Sequence, residues 1–315
     1  MNNESKFIKR EKDWRNGAII YQVLVDRFAP SDHLQKKKHM YENPRVLKSW
    51  DETPTPGSFN EQAKYYQHEL EFWGGDLQSL ESKLDYIKSL NVNVVYLNPI
   101  HQSLSNHKYD STDYMKISEE FGDFKDLERL IQKIHEKNMK IMLDGVFNHV
   151  GVQNTYYQKA LHGDKKYREW FDFNPKYPEG VRLWADAKSL PELNLEHDEV
   201  QDYIYRRFDS VIKSYLKKGI DGWRLDVAFD IGFEYLKALT HEAHIEKEGS
   251  MIVGEIWNYP KKWFDSIDGI MNFTFREWIE LVVHQKINPY QANQMMKFMV
   301  DDCGIEPLLK SWLVL

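Results

Sequence analysis

Three acidic residues stand where strands should end: Asp144 in IMLDGV, Asp226 in WRLDVA and Glu255 in IVGEIW. An ionisable side chain inside an otherwise apolar strand costs free energy unless it is paired or used. Arg224 lies two residues before Asp226, so the two-residue period of a strand puts both side chains on one face. Two carboxyl groups in different environments are the minimum equipment for retaining glycoside cleavage. One attacks the anomeric carbon and the other protonates the leaving oxygen, at a typical separation of about 5–5.5 Å. Neighbouring strands lie about 4.8 Å apart, so acids at the ends of adjacent strands can meet that requirement. On this reading Arg224 keeps Asp226 ionised as the nucleophile, and Glu255, in a drier place, keeps its proton as the acid. The competing reading is an ion-pair network that serves only the fold.

Tyr109, Trp184, Trp257, Asn98 and Asn258 fall near the same loops and supply ring faces and amides of the kind that hold sugars. For Trp184, packing is the favoured reading. Other chemistries find no support. His241 and His244 are three residues apart, one short of the spacing of a zinc-protease helix. No phosphate-binding glycine loop occurs, and the lone Cys303 excludes both an internal disulfide and a thiolate zinc site.

These acids need elements to position them. Short apolar runs opening near Ala18, Asn93, Met139, Gly219, Ser250, Ile267 and Ser311 alternate with helical patterns, which predicts parallel strands with crossover helices. Asp76 begins a helix with Leu77, Leu80, Leu84, Ile87 and Leu90 on one stripe. Asp123 caps a second, with Leu127, Leu130, Ile131 and Ile134, and Asn138 stops it. A third carries Val200, Ile204, Phe208, Val211, Tyr215 and Leu216 up to Gly219. Only a short crossover fits between the fifth and sixth strands. The expected fold is a (β/α)8 TIM barrel of the α/β class. Its first part covers residues 1–148, with a long loop at 27–75; an inserted subdomain covers 149–197, after strand 3; strands 4–7 lie in 198–315.

The 315 residues carry 42 Lys and Arg against 49 Asp and Glu, for a net charge of −7 with no basic block, so nucleic acid is excluded as an expected partner. No apolar run approaches the ~20 residues of a membrane helix, and the charged opening MNNESKFIKREKDW is not a secretory leader. The expected address is cytoplasmic, with no membrane partner.

The residues together resemble the α-amylase superfamily, glycoside hydrolase family 13. DGVFNH (144–149), GWRLD (222–226) and GEIW (254–257) look like its first three short conserved regions, PELN (191–194) like the marker of its inserted domain, and SNHKYDSTDY (105–114) like the loop after the second strand. VLVDRF, LDVA and EIW look most like the cyclomaltodextrinase, neopullulanase and maltogenic amylase branch. The resemblance implies Asp226 as nucleophile, Glu255 as general acid/base, and Arg224 and His149 as contacts to the attacked glucose. It also implies Asp144 as the orienter of Arg224 and Tyr109 as the ring stacked on the sugar, with Trp257 joining the substrate contacts. The implied substrate is an α-1,4-glucan oligosaccharide and no cofactor is required. Asn148 matches a calcium ligand of many α-amylases, but Asp230 and Glu192 replace the residues usual beside it; a loop-supporting amide is the equal reading.

The family's third acid belongs just after the seventh strand, which SWLVL (311–315) resembles. The expectation is therefore a barrel lacking its eighth strand and C-terminal domain, with exposed edges on strands 1 and 7 and little turnover. The alternative from another class is a non-catalytic remnant that binds glucan or a protein partner.

Overall fold

A computed structural model describes residues 3–314, with side chains from residue 7 onward. Six parallel strands form one curled sheet: β1 Ile20–Val23, β2 Val94–Leu97, β3 Lys140–Gly145, β4 Gly222–Leu225, β5 Met251–Ile256 and β6 Gly269–Asn272, paired in that order. This is the expected barrel in incomplete form. The expected seventh strand is reduced to a single parallel bridge, in which Trp312 donates its N–H to Ile270 O at 2.7 Å and accepts from Asn272 N at 2.8 Å.

Strand alternation divides the core in two. Val95, Leu97, Ile141, Leu143, Trp223, Leu225 and Ile252 face the outer helices. Val94, Tyr96, Met142, Met251, Val253 and Met271 face inward around Trp312. The same parity sends Asp144, Arg224 and Glu255 to the inner side, two residues beyond Met142, Gly222 and Val253.

Local chemistry sets the crossovers. Helix α1 (Leu77–Glu81) is capped by Asp76, which accepts from Ser79 N. The stripe predicted to run on to Leu90 breaks at Lys83, whose φ of −105° and ψ of 7° restart a separate α2 (Leu84–Ser89). Leu90 falls past its end and is exposed. Helix α3 (Phe124–Glu136) matches its prediction: Asp123 accepts from Lys125 N and Asp126 N, and Leu127, Leu130, Ile131 and Ile134 are buried. Asn138 follows in the left-handed region at φ 54°.

The third predicted helix is interrupted. A π-helical turn at Asp202–Arg206 leads into extended backbone at Arg207, and Phe208 points to solvent; α4 (Val211–Lys217) then completes the stripe. Helix α5 (Phe233–Glu246) feeds β5, and the crossover to β6 is one 3-10 turn, Lys261–Asp265. After β6 come α6 (Phe273–Val283), α7 (Pro289–Cys303) and α8 (Ile305–Lys310).

The edges expected to stand open are partly covered. Gly17 N donates to Leu309 O at 2.8 Å, Arg10 pairs with Glu306 at 2.6 Å, and Trp14, Ala18 and Ile20 pack on the Trp312 cluster. The long excursion after β1 contributes an antiparallel hairpin, Phe59–Asn60 with Tyr65–Tyr66. Among the described residues, no helix is long and apolar enough to cross a membrane.

Trp312 is 6 % exposed and its ring lies 5.4 Å from that of Tyr96. Trp312→Ala is therefore expected to cost about 3–5 kcal/mol in denaturant unfolding, the usual range for emptying a buried aromatic site. A loss below about 1 kcal/mol would show that the side chain fills no real core.

Candidate active site

The ladder register builds the site. Arg224 on β4 lies opposite Asp144 on β3, and the β4–β5 register that pairs Leu225 with Gly254 brings Asp226 alongside Glu255. Asp226 N extends the ladder by donating to Gly145 O at 3.1 Å.

One guanidinium holds three carboxylates. Arg224 Nη1 lies 3.0 and 3.1 Å from the two Asp144 oxygens and 2.8 Å from Asp226 Oδ1, while Nη2 lies 2.9 Å from Glu255 Oε2. Asp144, wholly buried, also accepts from the Tyr96 hydroxyl and from Tyr109 OH at 3.1 Å. Asn98 Nδ2 donates to Tyr109 OH at 2.9 Å, and Gln22 Nε2 donates to Asn98 Oδ1 at 3.0 Å. Glu255 Oε2 accepts a second bond, from Val227 N at 3.0 Å, and Oε1 accepts from Trp257 Nε1 at 3.1 Å. Val227 reaches that position with φ 40° and ψ 46°. A β-branched residue in the left-handed region is strained, and such strain is concentrated at sites of function.

The environments of the two acids differ from those expected. The side chains of Asp226 and Glu255 are 10 % and 14 % exposed, so Glu255 is not the drier of the pair. Burial and the neighbouring Asp144 carboxylate push the Asp226 carboxyl up, to about 8; Arg224 opposes this and Glu255 adds to it. The guanidinium therefore does not by itself keep Asp226 ionised in the empty site, because it is shared among three anions. Burial likewise raises Asp144, against Arg224.

His149 is buried, and desolvation lowers its imidazole to about 3. It is thus neutral. Its Nε2 lies 4.0 Å from Asp226 Oδ2, neither ring nitrogen has a hydrogen-bond partner, and the ring stacks on Trp184 at 5.1 Å. A buried polar group left unpaired in this way is suited to a ligand hydroxyl.

Tyr109, His149, Arg224, Asp226, Glu255 and Trp257 line one cleft of about 780 Å³, within the range of small-molecule sites. Asp144 braces it from below through Arg224 and Tyr109. Trp184, for which packing is the favoured reading, lines it too, stacked on His149. Asn258 instead accepts from Trp263 Nε1 at 2.7 Å. Sequence reasoning missed Tyr96, although its place two residues before Asn98 in a buried strand gave it an inward face. It also missed the wall formed by Phe59, Glu61 and Tyr66, whose excursion has no periodic pattern to read, and His107 beside Tyr109.

Asn148 lies in a different, polar cavity of about 770 Å³. Its Nδ2 is buried without a partner, but Glu192 is taken by Arg182 at 2.5 Å and Asp230 accepts from Trp184 Nε1 at 3.0 Å. Calcium wants several oxygen ligands. Among the described residues no group of three or more His, Cys, Asp or Glu side chains could hold a metal ion. The residues present do not fit the calcium site the resemblance allowed.

Comparison with known proteins shows the family. Residues 22–306 match "Alpha amylase, catalytic domain". The chain is similar to a cyclomaltodextrinase of Thermoanaerobacter pseudethanolicus, 33% identical over 295 residues that cover 90% of this chain and 47% of that protein. It is also similar to an intracellular maltogenic amylase of Bacillus subtilis, 37% identical over 319 residues that cover 94% of this chain and 50% of that one. The chain thus spans about half the length of the curated relatives it matches. A solved cyclic alpha-maltosyl-(1→6)-maltose hydrolase from Arthrobacter globiformis, in complex with that saccharide, is similar with a TM-score of 0.81 at 27% identity, covering 95% of this chain and 64% of that one.

The raised Asp226 carboxyl has a thermodynamic consequence. The folded state holds this proton more tightly than the unfolded chain does, so stability falls as pH rises from about 4 towards 8, then levels. Asp226→Asn lacks this loss. Its melting temperature is expected to match the parent near pH 4 and to exceed it by about 2 °C or more at pH 8, read by calorimetry. A difference that shrinks with rising pH would overturn the assignment.

Proposed function

Because the chain belongs to the α-amylase family of glycoside hydrolases, we propose that it acts on α-1,4-linked glucan oligosaccharides by a retaining mechanism, with Asp226 as nucleophile and Glu255 as general acid/base. The observation that carries this reading is the convergence of both carboxyls on the two Nη nitrogens of one buried guanidinium at the base of one cleft. The substrate class is supported by what the similar proteins are named for, cyclomaltodextrin and maltose-releasing activity.

Each residue has a role on this reading. Arg224 holds Oδ1 of Asp226, which leaves Oδ2 as the attacking oxygen. As the bond from Oδ2 to the anomeric carbon forms and the glycosidic bond breaks, Glu255 passes its proton to the leaving oxygen. Glu255 then takes a proton from the water that releases the sugar. Tyr109 supplies a ring face to the glucose, and neutral His149 a donor to one of its hydroxyls. The reaction needs one proton on Glu255 and none on Asp226, and a crowded acid cluster holds such a proton at neutral pH. No step uses a metal. A cytoplasmic location is the matching proposal, supported by the intracellular Bacillus subtilis relative.

The second reading, glucan binding without cleavage, is separated by one experiment. Maltotetraose incubated with the 315-residue chain should first release product in the α configuration by proton NMR, and Asp226→Asn or Glu255→Gln should slow this by at least ~10³-fold. Initial β product would sink the retaining mechanism, and saturable binding with no product would favour the binding reading.

A further inference from the structure

The general acid is occupied in the empty cleft. Glu255 Oε2 already accepts two fixed donors, Arg224 Nη2 at 2.9 Å and the strained Val227 N–H at 3.0 Å. The proton to be transferred therefore belongs on Oε1. Yet Oε1 accepts the indole N–H of Trp257 at 3.1 Å. Indole nitrogen can only donate, and the hydroxyl oxygen of a protonated carboxyl is a weaker acceptor than a carboxylate. The Trp257 bond and the proton-loaded acid thus compete for one oxygen.

Trp257 is also the loosest member of the site. It lies just past the end of β5 and is 65 % exposed, and its ring lies 6.0 Å from that of Phe229, tilted, and 6.3 Å from that of Phe273, edge-on. A side chain held in this way can turn without disturbing the barrel.

We propose that Trp257 gates the acid: its indole N–H occupies Glu255 Oε1 while the cleft is empty, and an entering glucan displaces it, freeing that oxygen to carry the proton to the glycosidic oxygen. The proposal rests on Glu255 being the general acid. Trp257 is a positioning residue for proton transfer, acting through Glu255. The charged groups facing Glu255 are Arg224 and Asp226 on β4, with Asp144 on β3 beyond Arg224. A change at Trp257 leaves all three in place.

Trp257→Phe keeps a ring and removes the donor. A donor to a carboxylate favours its charged form, so its loss shifts the high-pH limb of the kcat/KM profile, set by the proton the acid cluster shares, to higher pH. That profile reports the free enzyme; kcat reports the complex, in which the indole has already left, so the kcat limb stays where it was. A purely structural or stacking role would change KM at every pH and move neither limb. Limbs that both stay, or that move together, overturn the gate.

A second measurement needs no turnover. In Asp226→Asn, the indole N–H resonance of Trp257, assigned by its loss in Trp257→Phe, should shift when maltotriose is added. Binding of maltotriose with that resonance unmoved overturns the gate and leaves the reading of the site intact. Neither binding nor turnover of any glucan overturns both.

Discussion

The site depends on an imbalance: one buried guanidinium stands against three carboxylates. With His149 neutral, full ionisation of Asp144, Asp226 and Glu255 would leave two uncompensated negative charges in a place poor in water. Coulomb energies between such groups are several times those in bulk water. Taking up one proton relieves the excess: burial first, and the neighbouring carboxylates second, raise the Asp226 carboxyl despite its contact with Arg224. A glycosidase acting through these acids needs the same stoichiometry, one proton between two carboxyls. The charge count that strains the empty site is the one the proposed acid catalysis requires.

Asp144 keeps the arrangement from collapsing into a simple pair. Both of its oxygens lie against Arg224 Nη1, and two tyrosine hydroxyls donate to it. The guanidinium therefore stays between Asp226 and Glu255. The parallel register does the coarse work by placing Asp144 opposite Arg224 and Asp226 beside Glu255. The strained turn at Val227 does the fine work, turning one backbone N–H onto Glu255.

The sequence made legible what strand parity and capping control. Arg224 and Asp226 could be put on one face because alternation along a strand leaves no other choice, and the two side chains do meet, at 2.8 Å. Asp123 and Asn138 marked α3 correctly because cap chemistry is local. The breaks at Lys83 and after Arg206 were not legible: apolar spacing survives a broken helix when both pieces pack on the same sheet. Nor was the relative dryness of the two acids, which depends on loops that carry no periodic signal. For Asn148 the sequence left calcium and loop support even; what it could not show is that Arg182, distant along the chain from Asn148, pairs with the neighbouring Glu192 carboxylate.

The site is braced from below. Trp312 packs on Tyr96, the Tyr96 hydroxyl donates to Asp144, Asp144 clamps Arg224, and Arg224 holds Asp226 and Glu255. Every link but Glu255 is buried, and all are packed or hydrogen-bonded, so the chain of contacts has few alternative arrangements and transmits displacement rather than absorbing it. Trp257, by contrast, meets Glu255 from the solvent side with little packing around it. The rigid side of the site faces the barrel interior, where the carboxyls must keep their separation. The yielding side faces the cleft, where on the proposed reading a sugar enters. A site that confines like charges requires that division, since play beneath Arg224 would let the acids part, and rigidity above Glu255 would, on that reading, keep its proton from the substrate.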